Sequence, residues 1–179
     1  MAAHFHKHPR LRDRDYTRGA YFVTICAKRR GEIFGRIAGH GADARMQLND
    51  AGRIVEECWR AIPDHFPHAH LDQFQIMPDH FHAILILAPP AIDAPVPSTQ
   101  WVDPTEAPAA TLANGPRPGS LGAILGAFKS ETTKQINRLN RTDGAQLWQR
   151  GYYERTIRRQ GGEYGRIAQY IAENPVRWR

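Results

Sequence analysis

The chain has 179 residues, of which 41% are hydrophobic and 23% charged, with a formal net charge of +6. Those figures fit one ordinary domain, or one domain with an excursion, and exclude wholesale disorder and a fibrous repeat. The central apolar run Ala83 to Ala88 is too short to cross a bilayer, the N-terminus lacks a secretory core, and Cys26 and Cys58 have no CxxC spacing, so a reducing cytoplasm is expected.

Residues 1–19 are polar, basic and without periodicity, and read as an arm preceding a domain that occupies residues 20–179. Tyr21-Phe-Val-Thr-Ile-Cys26 is β-branched and aromatic, which predicts a strand apolar on both faces. The glycine-bearing stretch Gly31 to Gly41 reads as turn or loop. Asn49 can cap a helix with apolar positions Ile54, Val55, Cys58, Trp59 and Ile62, ending before Pro63. Leu71–Met77 and His80–Leu87 read as strands joined by a turn at Pro78-Asp79. Ser120 caps a periodic helix carrying Leu121, Ile124, Leu125, Phe128, Ile136 and Leu139 on one side. Tyr152–Ile157 follows as a short strand, and a last helix runs from about Glu163 to Asn174, where Pro175 stops it.

Residues 88–119 hold eight of the thirteen prolines and little periodicity, the composition of an extended, mobile insertion. The order βαββαβ plus one helix predicts an α+β, ferredoxin-like (split βαβ) fold. It has a four-stranded antiparallel sheet with helices on one face and a further C-terminal helix.

Charge is segregated. Residues 1–30 carry a surplus of 6 positive charges, residues 31–128 a deficit of 6, and residues 129–179 again a surplus of 6. Cationic ends suit a polyanion, because each neutralised phosphate releases counterions. Trp148, Tyr152, Tyr153, Tyr164 and Trp178 stand among the C-terminal arginines and suit stacking on unpaired bases. A solvated basic surface is the plainer alternative.

In the strand from His80, residues two apart share a face, so His80 and His82 project together and Ile84 and Ile86 continue that face. Two imidazoles so placed can share one metal ion; two ordinary strand-edge histidines give the same pattern. A two-histidine set falls short of the usual zinc complement. With oxygen ligands it suits Mg²⁺ or Mn²⁺ beside phosphate oxygens. On the last helix, Tyr164, Ile167, Ala168 and Ile171 form the buried stripe, and Tyr170 lies on its rim, about 110° from the stripe's centre. Asn174, one turn on, sits on the same flank. A boundary tyrosine and a helix-ending asparagine would look alike, but a phenol can also attack phosphorus.

Taken together, Tyr21-Phe-Val-Thr, Met77-Pro-Asp-His-Phe-His, Gly119 to Lys134, Leu147 to Arg158 and Tyr170-Ile-Ala-Glu-Asn-Pro-Val-Arg-Trp178 resemble the HUH-type single-tyrosine transposases. The REP-associated tyrosine transposases of bacteria are especially similar. The resemblance spans nearly the whole chain except the arm and the insertion. It implies that His80, His82 and Asn174 bind a divalent metal, Mg²⁺ or Mn²⁺, and that Tyr170 is the nucleophile. It further implies cleavage and rejoining of single-stranded, hairpin-associated DNA through a 5′-phosphotyrosine, in the bacterial nucleoid. It leaves a homodimer and a monomer both open, and no membrane is involved. Lys129, Lys134, Arg150, Arg155 and Arg158 are the expected contacts to the DNA backbone.

Overall fold

The computed structural model describes residues 16–88, 116–158 and 161–178. Most of the arm and nearly all of the proline-rich insertion lie outside the described residues. Tyr16 to Arg18, the end of the arm, is attached to the fold: Leu121 N donates to Tyr16 O at 2.9 Å and Tyr21 Oη to Arg18 O at 2.7 Å.

The strands are β1 (Gly19–Cys26), β2 (Gly35–Ala38), β3 (Arg45–Leu48), β4 (Ala69–Ile76), β5 (His80–Leu87) and β6 (Tyr153–Ile157). The helices are α1 (Asp50–Arg60), α2 (Ile62–His65), α3 (Leu121–Asn140), α4 (Glu163–Ala172) and α5 (Asn174–Arg177). Strands β4-β5-β1-β6 form one antiparallel sheet in that order. This is the expected ferredoxin-like arrangement, in which the third core strand lies beside the first. Both predicted caps are present: Asn49 accepts from Gly52 N at 2.9 Å and Ser120 from Ala123 N at 3.4 Å, each satisfying an otherwise orphaned helix donor.

Three expectations need correction. The stretch read as loop contains β2, which pairs with β3 in a separate hairpin. Gly35 has a φ of +131°, and a Cβ there would sit 2.1 Å from Gln47 O, so the hairpin closes only because the residue is glycine. Pro63 and Pro175 each open a further helical turn, in α2 and α5, instead of leading into loop. A first-turn proline lacks only an N–H that has no helical partner.

One face of the sheet, made by Tyr21, Val23, Ile25, Phe81, Ala83, Leu85 and Leu87, packs on α1 and α3. Trp59 anchors that layer, its ring centroid 4.7 Å from that of Phe81 and 5.4 Å from that of Phe128. The opposite face packs Ile84 and Ile157 against Ile171 of α4, with Phe22, Ile86, Ile167 and Ala168 around them. β5 is therefore covered on both sides, as its continuous apolar run predicts. Its alternation sends His80 and His82 toward the face that α4 covers. Among the described residues no helix is long and apolar enough to cross a membrane.

Candidate active site

His82 is 2% exposed and His80 half-buried, with ring centroids 4.7 Å apart and planes at 75°. Each imidazole is held through Nδ1. His80 Nδ1 lies 2.8 Å from Asp79 Oδ1, and His82 Nδ1 lies 2.8 Å from Thr24 Oγ1. A carboxylate accepts, so His80 carries its proton on Nδ1 and presents an Nε2 lone pair. Thr24 can hold His82 in the same tautomer; metal-bound imidazoles typically have their other ring nitrogen held by a neighbouring acceptor in this way. Burial pushes His82 down to about 3, helped by its neighbour His80, and burial also lowers His80 against the opposing pull of Asp79. Both rings are therefore neutral near pH 7, as ligation requires. Among the described residues no third His, Cys, Asp or Glu completes a cluster. A cation held by the pair would have to take its remaining ligands from amide, water or phosphate oxygen.

Tyr170, 36% exposed, stands on the rim where the helical period puts it. Its ring meets that of His82 edge-on at 5.5 Å and that of Phe22 at 6.1 Å, while Phe22 stacks on His82 at 5.5 Å. The three rings form one cluster, so the phenol and the histidine pair are brought together within a single chain. Asn174 is buried as the first residue of α5, and its Nδ2 donates to Tyr170 O at 2.9 Å. That bond commits the amide nitrogen and leaves the amide oxygen as the candidate ligand atom. Trp178 also reaches the pair, with its ring 5.5 Å from that of His80.

Tyr164 departs from its expected place on the buried stripe: it is 38% exposed, and its hydroxyl donates to Asp72 Oδ2. The first turn of α4 meets the edge strand β4 there, at a register shift between Leu71 and Phe74, instead of resting on the core. Hydrogen bonding to Asp72 pushes this phenol up to about 12, away from a nucleophile's needs. Of the other tyrosines, Tyr152 packs on the α1–α3 layer and Tyr153 pairs with Thr24 across β6 and β1.

The five expected DNA contacts fall into two groups. Lys129, Lys134 and Arg150 line one groove of about 760 Å³ between α3 and the 144–151 loop. Lys129 already donates there to Gln149 O and Gly151 O, at 2.7 and 2.8 Å. Arg155 and Arg158 meet Glu163 at the start of α4, Arg155 through its guanidinium at 2.5 Å and Arg158 through its backbone N–H at 2.9 Å. Residue patterns missed Thr24 and Asp79. Thr24 lies inside a recognisable strand, but only the β1–β5 register sets it opposite His82. Asp79 looks like an ordinary turn residue, and only its 4% exposure marks it as a buried carboxylate.

A ferredoxin-like sheet thus carries paired imidazoles on an inner strand, facing a tyrosine on a covering helix. No family model matches the chain. An uncharacterized protein of Haemophilus influenzae is 33% identical over 176 residues, covering 98% of this chain and 91% of that protein. The chain belongs to the same family as that protein. Among solved structures, a REP-associated tyrosine transposase bound to a REP hairpin matches with a TM-score of 0.59 and 16% identity, covering 92% of this chain and 71% of that one. A Deinococcus radiodurans chain aligns more loosely, with a TM-score of 0.46 and 16% identity over 93% of this chain and 97% of that one. The fold is that of a REP-associated tyrosine transposase.

Proposed function

We propose that the protein cleaves and rejoins single-stranded DNA flanking a hairpin, through a covalent 5′-phosphotyrosine on Tyr170. The observation that carries this reading is the contact of the Tyr170 ring with His82, in a pair whose Nδ1 atoms are both occupied. That arrangement leaves Nε2 of each ring to bind, with a nucleophile alongside. The likeness of fold to a hairpin-bound transposase supports the substrate class.

His80, His82 and the amide oxygen of Asn174 would hold Mg²⁺ or Mn²⁺, which when bound polarises the phosphodiester and neutralises charge developing on it. The protein's own groups do the rest. Tyr170 Oη bonds to phosphorus as the bond to the 3′-oxygen breaks. The phenol gives up its proton and the leaving 3′-oxygen takes one up. Phosphodiester energy is kept in the tyrosyl ester, so a 3′-hydroxyl can reverse the step on the same or another strand without ATP. The stacked rings of Phe22 and His82 both rest against the Tyr170 ring, which orients the phenol before DNA arrives.

The test is incubation of an end-labelled hairpin oligonucleotide with the protein and Mg²⁺ or Mn²⁺, followed by denaturing electrophoresis. The expected result is a covalent protein–DNA band that is lost in Tyr170→Phe and in chelator. Hydrolysed strands without an adduct, or binding without cleavage, would overturn the proposal.

A further inference from the structure

Asp79 uses its two oxygens for two partners: Oδ1 holds His80 Nδ1 at 2.8 Å, and Oδ2 accepts from Arg30 Nη1 at 3.1 Å. The acid is 4% exposed and the Arg30 side chain 77% exposed. One nitrogen of the guanidinium is thus anchored on a buried acid while most of the group faces solvent. Its fork of five N–H donors suits a phosphate, and the Asp79 contact engages one nitrogen of that fork. The backbone fixes the place as well. Ala27 N donates to Asp79 O at 2.8 Å and Phe34 N to Pro78 O at 3.0 Å, tying the 27–34 loop to the turn that precedes His80. Lys28 and Arg29 are also exposed, so three consecutive cations leave the end of β1 where β5 begins.

We propose that Arg30 is a phosphate-binding residue of this site, gripping the backbone of the single strand beside the histidine pair, and that Asp79 positions both Arg30 and His80. The inference rests on the strand-cleavage reading for its ligand, and adds a residue that the motif pattern did not single out. The rival role for Arg30 is neutralisation of a buried carboxylate. The two roles differ in what they do to binding. A phosphate contact contributes to the salt dependence of DNA affinity, whereas charge neutralisation shows only as lost stability.

The experiment uses the full chain in EDTA and a fluorescein-labelled hairpin oligonucleotide with a single-stranded flank, read by anisotropy between about 50 and 200 mM salt. Arg30→Gln is expected to bind about tenfold more weakly, with a slope of log affinity against log salt shallower by about 0.7, the single-strand value for one phosphate. Its urea midpoint should also fall, because buried Asp79 loses its cation, so the change in salt slope is what marks the phosphate contact. Arg30→Lys should recover the slope but not the full affinity, because it keeps the charge and loses the fork. Asp79→Asn should weaken both hairpin binding and Mn²⁺ binding, the latter about tenfold or more. A wild-type slope and affinity in Arg30→Gln would overturn the Arg30 assignment, and unchanged Mn²⁺ affinity in Asp79→Asn would overturn the positioning role. If the wild type binds the hairpin and forms adducts while Arg30→Gln matches it, only this inference fails. A wild type that binds no single-stranded DNA at any salt would remove both readings.

Discussion

Thr24→Val tests the histidine pair at its most buried point. Thr24 Oγ1 and His82 Nδ1 are 2.8 Å apart, and both residues are buried. Valine keeps the branched shape and removes the hydroxyl, leaving the Nδ1–H of a 2%-exposed imidazole without its partner. An orphaned buried donor costs about 1–3 kcal/mol. The added methyl returns about 0.8 kcal/mol, so the net loss should be about 0.2–2 kcal/mol. Thr24→Ser instead keeps the hydroxyl and gives up one buried methyl, a cost of about 0.8 kcal/mol. Stability alone barely separates the two variants. Metal affinity does, because without an acceptor at Nδ1 the ring is free to move its proton to Nε2 and lose the lone pair that ligates. Valine should therefore weaken Mn²⁺ binding about 10- to 100-fold, while serine stays close to wild type. Urea denaturation in chelator and calorimetric Mn²⁺ titration measure the two effects. Wild-type Mn²⁺ affinity in Thr24→Val would refute the role given to the Thr24–His82 bond.

Tyr170→Phe should abolish adducts yet bind hairpin DNA within about tenfold of wild type, a cost below about 1.4 kcal/mol, since the ring contacts remain; Tyr164→Phe should still form adducts, as band-shift and denaturing gels will show. The histidine pair also sets a pH dependence in the metal-free protein. His82 falls from an ordinary 6.5 to about 3 on folding, so below pH 6.5 the unfolded chain binds a proton that the fold refuses. Its contribution to stability is intact above pH 6.5 and is lost as pH falls toward 3, by up to about 1.4 kcal/mol per pH unit. Urea midpoints of wild type and His82→Gln across that range should diverge in slope by up to one proton, and parallel curves would contradict the burial argument. Ile171→Ala removes the fully buried anchor of α4. It should cost about 2–5 kcal/mol by denaturation and slow adduct formation by loosening the helix that carries Tyr170.

Much of the fold is legible along the chain because its elements are strongly periodic. β5 alternates two imidazoles with apolar residues, α1 and α3 begin at good capping residues, and α4 carries a clear stripe. The β2–β3 hairpin escaped because its strands are four residues each and only partly buried. β3 does alternate, as Arg45-Met-Gln-Leu48, but four residues are too few to decide a strand, and the glycine that closes the hairpin reads as loop. Tyr164 misled for a different reason. A helical wheel assumes that the whole stripe meets a surface, whereas the first turn of α4 lies over the edge strand and finds Asp72 instead.

For the site, residue order put His80 and His82 on one strand face and Tyr170 on a helix rim, because strand and helix periods act over a few bonds and dictate which side chains share a face; their roles came from the family resemblance. Order alone could not join the two faces, or show that Thr24 and Asp79 fix the ring tautomers, or that Asp72 takes up one tyrosine while His82 meets another. Those relations depend on strand register and on how α4 crosses the sheet, which are settled by packing between segments as far apart as Thr24, Asp79 and Tyr170. Local periodicity thus determined which groups could carry chemistry, and long-range packing decided which of them meet.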